Sequence, residues 1–268
     1  MLTNHRLLVS YDGRAFLGWQ RHGGQRTVQG TLEDAIMTAF GIASPVLGAS
    51  RTDRGAHATG QVASAGLPAS HEPETMLPDL NRALPHDVRM LAMTPVAADF
   101  HPRRDAIRKR YRYVLWNGSP CPDEERGRVW EVRRPLDVPA MRRASAIFLG
   151  THDFSSFATR SNFTPRSTVR TITWLELATD ASHPSRVSLV IEADAFLYKM
   201  VRNIVRALAK VGEGRCTPDD LGAMLRARDR QAAPGSAPAS GLYLEAVYYD
   251  PSPPAGQPAP SILRPEPS

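Results

Sequence analysis

Two successive stretches of the chain repeat one order of strand and helix patterns, and this repetition constrains the fold most strongly. Apolar residues that alternate predict strands, and apolar residues three or four positions apart predict helices. In the first stretch, strands are predicted at 5–12, 46–50, 60–67 and 88–96, with helices at 27–41 and 73–84. This β-α-β-β-α-β order is typical of the ferredoxin-like split βαβ fold.

The second stretch repeats the order, with strands predicted at 109–116, 169–178, 186–195 and 242–249. Its helices are predicted to end near Gly150 and to span 198–211, and a short further helix follows Thr217. The sequence therefore predicts an α+β protein with an N-terminal half at 1–98 and a C-terminal half at 99–250. The segment 251–268 contains seven prolines and is expected to be disordered.

One loop sets a carboxylate between two cations, because Asp53 lies between Arg51 and Arg54 and is followed by Gly55. Nearby positive charge favours the ionised form of a carboxylate. An ionised Asp on a glycine-containing connection can act as a nucleophile or a base. A turn with a surface ion pair explains the same three residues, so the loop alone does not decide between the two interpretations.

The charge balance favours a polyanionic partner. The formal net charge is +6, and only three of the 33 basic residues are lysines. Arginine binds phosphate with two hydrogen bonds and stacks on bases. Arginine enrichment can also reflect the base composition of a genome. No apolar run approaches the roughly 18 residues of a membrane span, and neither a signal-peptide pattern nor paired cysteines are present, so a cytoplasmic protein with reduced thiols is expected.

Two elements carry residues suited to nucleic-acid contacts. On the helix predicted at 198–211, Lys199, Arg202, Arg206 and Lys210 form one basic stripe, which is either a phosphate-binding ridge or a solvated face. On the strand predicted at 109–116, Tyr111 projects from the face opposite to its neighbouring arginines. Tyr111 is either an aromatic platform for an unstacked base or a core residue with a bonded hydroxyl.

The absence of characteristic sequence motifs excludes several chemistries. The eight histidines form no HxxxH or HExxH pattern, and the two cysteines are far apart, so no metal site is expected. The sequence contains no P-loop, no dinucleotide-binding GxGxxG unit and no GxSxG nucleophile elbow. What is left is a site without a cofactor, built from a carboxylate, arginines and aromatic residues.

Seven stretches, in this order, together resemble the tRNA pseudouridine synthase A family. They are YDG and GWQR with Phe16 near the N-terminus, RTDRGAHA followed by GQV at 51–62, FH at 100–101, KRYRY at 109–113, DFSSF at 153–157, MVRNIV at 200–205 and GLYL at 241–244. Each is weak alone, but the ordered set spans roughly residues 6 to 249. Ser50 stands where the family usually has Gly, and Ala56 where it usually has Val.

The resemblance implies isomerisation of uridine to pseudouridine in the tRNA anticodon arm, at positions 38 to 40. It implies two RRM-like halves that share a continuous antiparallel sheet flanked by helices, with a basic cleft between the halves. It also implies a homodimer that binds tRNA, with neither a metal nor an organic cofactor.

The same resemblance implies roles for individual residues. Asp53 matches the catalytic carboxylate, and Tyr111 matches a tyrosine that contacts the substrate. Arg51 is expected to orient Asp53 and to fill the space left by a flipped base, while Leu242, with Leu244, lines the pocket floor. Lys199, Arg202 and Arg206 are expected to contact the tRNA backbone.

Two other functions are compatible with parts of the sequence. A non-catalytic, basic RNA-binding protein explains the charge, the fold and Tyr111, but a phosphate-binding groove gains nothing from a carboxylate at Asp53. A pseudouridine synthase that acts on another RNA explains the residues equally well.

Overall fold

The computed structural model describes residues 1–69, 72–160 and 165–250. The disorder predicted for 251–268 concerns residues outside this described part of the chain. No helix within the described residues is long and apolar enough to cross a membrane. Cys121 and Cys216 are both free thiols, as predicted.

The N-terminal half contains every element that its sequence predicts. Its elements are β1 (Leu2–Tyr11), α1 (Val28–Phe40), β2 (Leu47–Gly48), β3 (His57–Pro68), α2 (Pro73–Ala83) and β4 (Val88–Pro95). Helix α1 begins where Thr27 accepts a hydrogen bond from the Gly30 amide, at 3.3 Å. This cap satisfies one of the amides that the first helical turn leaves unpaired.

The C-terminal half also contains its predicted elements and two short strands more. It is formed by β5 (Arg108–Trp116), β6 (Trp130–Glu131), α3 (Val138–Ser145), β7 (Gly150–Asp153), β8 (Val169–Thr179), β9 (Arg186–Ala193), α4 (Met200–Gly212), α5 (Pro218–Ala227) and β10 (Leu242–Tyr248). The sequence did not predict β6 and β7, because segments of two and four residues carry too little periodicity to be recognised.

The strands form one sheet with the order β4-β1-β3-β10-β5-β9-β8-β7, and β2 pairs with β3. Within each half the order is that of a ferredoxin-like unit: β4-β1-β3-β2 in the first and β10-β5-β9-β8 in the second. The α+β class and the continuous sheet are therefore confirmed. The sheet is mostly antiparallel, but β10 runs parallel to β3 and β6 runs parallel to β5.

The core lies along the sheet, where alternate residues of the strands are buried. On β5 these residues include Tyr111, Tyr113 and Leu115. Arg110 and Arg112 project from the opposite face, as predicted, and form ion pairs with Glu192 and Glu245.

The seam between the halves depends on the close approach of β3 and β10 at Gly60. A Cβ atom at Gly60 would lie 2.1 Å from the backbone oxygen of Glu245. Only glycine fits, because the obstructing atom belongs to the backbone and cannot rotate away.

Replacing Gly60 by Ala is expected to lower the free energy of unfolding by about 3 kcal/mol, because the seam must open to admit the methyl group. Urea denaturation measures this change. Gly23→Ala is the matched control, since a Cβ atom there meets no atom within 4 Å. Equal stability of the two variants would show that the seam does not require glycine.

Candidate active site

The loop that carries Asp53 lies where β3 changes its partner. Strand β3 pairs with β2 through Ala63 and Ser64, and with β10 through His57 and Ala58. The connection from β2 to β3 begins at the first of these pairings and ends at the second. Asp53 is therefore placed at the seam, where both halves can contribute side chains.

Buried polar side chains hold the first part of this loop. Gln61, which is fully buried, accepts a hydrogen bond from the Ser50 amide at 3.2 Å and donates one to the Ser50 carbonyl at 2.7 Å. Lys109 donates from Nζ to the Ala49 carbonyl at 2.7 Å. Since Gln61 and Lys109 belong to different halves, the loop is fixed from both sides of the seam.

Residues of the YDG and GWQR stretches near the N-terminus hold the middle of the loop. The hydroxyl groups of Thr52 and Tyr11 lie 2.8 Å apart, and the Trp19 amide donates to the Thr52 carbonyl at 3.1 Å. Gly18 has φ = 105°, and a Cβ atom there would lie 2.7 Å from the Thr52 oxygen. The residue next to Asp53 is thus fixed through both its side chain and its backbone.

Asp53 forms an ion pair with Arg202 of α4, and both side chains are largely enclosed, at 15% and 13% exposure. Arg202 also donates from Nε to the Ala237 carbonyl at 2.7 Å, and the Ala237 amide donates back to the Arg202 carbonyl at 3.1 Å. One guanidinium group therefore joins the Asp53 loop to the segment before β10.

This arrangement differs from the roles that the sequence suggested for the arginines. Arg202 was expected on a phosphate-binding stripe, but its side chain lies beside the carboxylate. Arg51, which was expected to orient Asp53, is exposed. The cation that the structure pairs with Asp53 comes from a position 149 residues away in the chain.

Tyr111 is buried, with a residue exposure of 6%, and its hydroxyl lies 2.6 Å from Oγ of Ser50. Its ring meets Phe196 edge-on, with centroids 5.0 Å apart. Burial raises the pKa of Tyr111 to about 12, and the negative charge of Asp53 adds to the rise. Tyr111 and Asp53 therefore belong to one electrostatic environment, although the burial itself is that of a core tyrosine.

The predicted pocket floor is also buried in the sheet. Leu242 lies opposite Tyr113 and Leu244 lies opposite Tyr111 in the pairing of β10 with β5. Both leucines therefore project from the Tyr111 face of the sheet.

The other members of the basic stripe have different recorded partners. Lys199 has a left-handed backbone conformation, with φ = 60°, and its ammonium lies 5.0 Å from the centroid of the Tyr198 ring. Arg206 lies over the ring of Trp130, at 5.1 Å, and Lys210 pairs with Glu213 at 3.4 Å. Of the four residues of the stripe, Arg202 is the one for which the structure records an ion pair with Asp53.

Sequence reasoning gave no role to Gln61 or Lys109, and it noted Ser50 only as a departure from the family pattern. One signal was available, because Gln61 lies within the first residues of an apolar strand, and a buried amide requires hydrogen-bond partners. Within the described part of the chain, no group of three or more His, Cys, Asp or Glu residues is placed to hold a metal ion.

Comparison with known proteins first defines the class. A family model described as tRNA pseudouridine synthase matches residues 144–250, which include Arg202 and the last strand of the shared sheet. The C-terminal part of the chain is thus similar to tRNA pseudouridine synthases.

Relatives along nearly the whole chain define the family. The protein named tRNA pseudouridine synthase A from Methylacidiphilum infernorum is 41% identical over 253 residues, which cover 93% of this chain and 97% of that protein. Its namesake from Acetivibrio thermocellus is 40% identical, with 92% and 100% covered. The one from Solidesulfovibrio magneticus is 43% identical, with 91% and 90% covered. The chain belongs to the tRNA pseudouridine synthase A family.

Proposed function

We propose that this protein converts uridine to pseudouridine at positions 38 to 40 of the tRNA anticodon arm, with Asp53 as the catalytic carboxylate. Membership of the family supports an isomerase that acts on uridine in tRNA. The observation that carries the residue assignment is the enclosed Asp53–Arg202 pair, on a loop anchored from both halves. A loop that only reversed the chain and carried a surface ion pair would not require anchoring from both halves.

The reaction breaks the bond between N1 of uracil and C1′ of ribose and forms a bond between C5 and C1′. The C5 proton is then lost and N1 gains a proton, so the product is an isomer of the substrate. The target base must leave its stack before Asp53 can reach it. Three steps are compatible with a carboxylate in this place: attack on C1′, attack on the base, and removal of the 2′ proton.

Tyr111 is proposed to contact the flipped uracil and to remove the C5 proton. Because Tyr111 is only 6% exposed as a residue, a base that stacks on its ring must displace a covering side chain, and Phe196 is itself only partly buried. Leu242 is proposed to bound the same pocket. A closed pocket keeps water away from the detached uracil.

The arginines and lysines are proposed to divide the remaining work. Arg202 acts inside the site through Asp53, and the exposed Arg51 fills the space that the flipped base leaves. Lys199 and Arg206 contact the tRNA backbone, so tRNA affinity should fall as salt rises. A cytoplasmic homodimer, implied by the family resemblance, is part of the same proposal, and sedimentation of the protein with and without tRNA tests it.

The position of the product tests the proposed function. The protein is expected to form pseudouridine at positions 38 to 40 when it is incubated with an unmodified tRNA transcript, and a transcript with cytidine at those positions is the matched control. Product at other positions or in another RNA would favour a synthase of different specificity. Binding of tRNA without product would favour a non-catalytic RNA-binding protein.

A further inference from the structure

The hydroxyl of Ser50 contacts the hydroxyl of Tyr111. The amide and the carbonyl of Ser50 both bond the buried side chain of Gln61, so the Ser50 backbone is held in place. Its Oγ then lies 2.6 Å from the Tyr111 hydroxyl, a short distance even for two hydroxyl groups. Asp53 follows three residues later on the same loop.

The partner of Tyr111 differs in kind from the partner of Tyr113, its neighbour on the same face of β5. The Tyr113 hydroxyl donates to the Pro238 carbonyl at 2.7 Å, and a carbonyl can only accept, so the phenol proton is fixed there. The hydroxyl of Ser50 can accept or donate. When Ser50 donates, the phenol oxygen of Tyr111 is stabilised with more negative charge, and the phenol proton is not committed to a protein acceptor.

We propose that Ser50 is a positioning residue that holds the Tyr111 hydroxyl against the loop that carries Asp53 and donates a hydrogen bond to it during the reaction. This inference rests on the proposed function, since it gives Ser50 a part in removing the C5 proton. Tyr111 can take that proton only as the phenolate, so its own proton must pass to solvent before the pocket closes. Burial and the charge of Asp53 raise the pKa of Tyr111, and the hydrogen bond from Ser50 acts against that rise.

The test measures the release of tritium from tRNA that contains [5-³H]uridine, under single-turnover conditions. Ser50→Ala is expected to slow release about fivefold, the usual effect of one neutral hydrogen bond. It should also move the ascending limb of the pH–rate profile, which reports deprotonation of the base, to higher pH. Ser50→Gly should behave in the same way. Binding of tRNA should not change.

Two comparisons separate this role from a general loss of structure. In a Tyr111→Phe background, Ser50→Ala is expected to cause no further loss, because the hydroxyl on which it acts is gone. Ser145→Ala is the control for removal of a buried serine hydroxyl, since its Oγ donates to the Arg142 carbonyl at 2.8 Å on α3. It should leave tritium release unchanged.

Each contrary result has a distinct meaning. A wild-type protein that releases no tritium and forms no pseudouridine overturns the proposed function. An active wild type with an unchanged Ser50→Ala rate and pH profile overturns the role of Ser50 alone. The role of Ser50 is also overturned if the double variant shows the product of the two single losses. An unchanged rate for Tyr111→Phe alone overturns it as well.

Discussion

Replacing Asp53 by Asn should abolish detectable pseudouridine formation, with a loss of about 10⁴-fold in the single-turnover rate. The amide keeps the shape of the side chain and can still accept a hydrogen bond from Arg202. It has no negative charge and is neither a nucleophile nor a base. Because the tRNA backbone is proposed to meet Lys199 and Arg206, binding of tRNA should stay close to that of the wild type. Mapping of pseudouridine and filter binding measure the two quantities.

Asp87→Asn is the matched control for the loss of a paired carboxylate. Asp87 bonds Arg26 with both oxygens, at 2.7 and 2.8 Å, and its side chain is 12% exposed. Its burial is therefore close to that of Asp53, but it lies in a different ion pair. If Asp53→Asn turned over like the wild type, Asp53 would not be the catalytic carboxylate. Equal losses in the two variants would point to stability, which thermal unfolding of both proteins checks.

Local patterns in the sequence predicted most of the fold, because the strands and helices are amphipathic and have clear ends. Thr27 at the start of α1 and the Thr217–Pro218 start of α5 are such signals, and both threonines cap their helices in the structure. The ferredoxin-like order of each half followed from the element order. The parallel pairing of β3 with β10 has no local signal, since it joins His57 to Tyr243, which are far apart in the sequence.

The site could be predicted only in part, because its contacts join residues that are far apart in the sequence. The loop motif placed Asp53 correctly on a connection beside a strand. Helical spacing placed Arg202 on a basic stripe, but spacing cannot show which member of a stripe turns towards a distant loop. The hydroxyl partner of Tyr111 was hidden in the same way, because Ser50 and Tyr111 lie 61 positions apart.

Arg202→Met is expected to lower the single-turnover rate about 10²- to 10³-fold, comparable to the loss of one charged or polar group in a preorganised site. The variant leaves the enclosed carboxylate of Asp53 without the one ion-pair partner that the described residues give it. It also releases the segment at Ala237. Arg202→Lys keeps a charge but not the geometry that bonds Asp53 and Ala237 together, so an intermediate loss of about tenfold is expected.

Arg202→Met also distinguishes between the two roles considered for Arg202. These are contact with Asp53 in the site and contact with phosphate groups of the RNA. Arg206→Met should weaken tRNA binding and reduce the dependence of log affinity on log salt by about one unit. Arg142→Met is the control, because Arg142 also donates its Nε to a backbone carbonyl, that of Leu177 at 2.9 Å, but on α3. If Arg202→Met kept the wild-type rate at saturating tRNA and lost affinity and salt dependence as Arg206→Met does, Arg202 would act on the RNA backbone. If instead the rate fell and the salt dependence did not change, the guanidinium would act through Asp53.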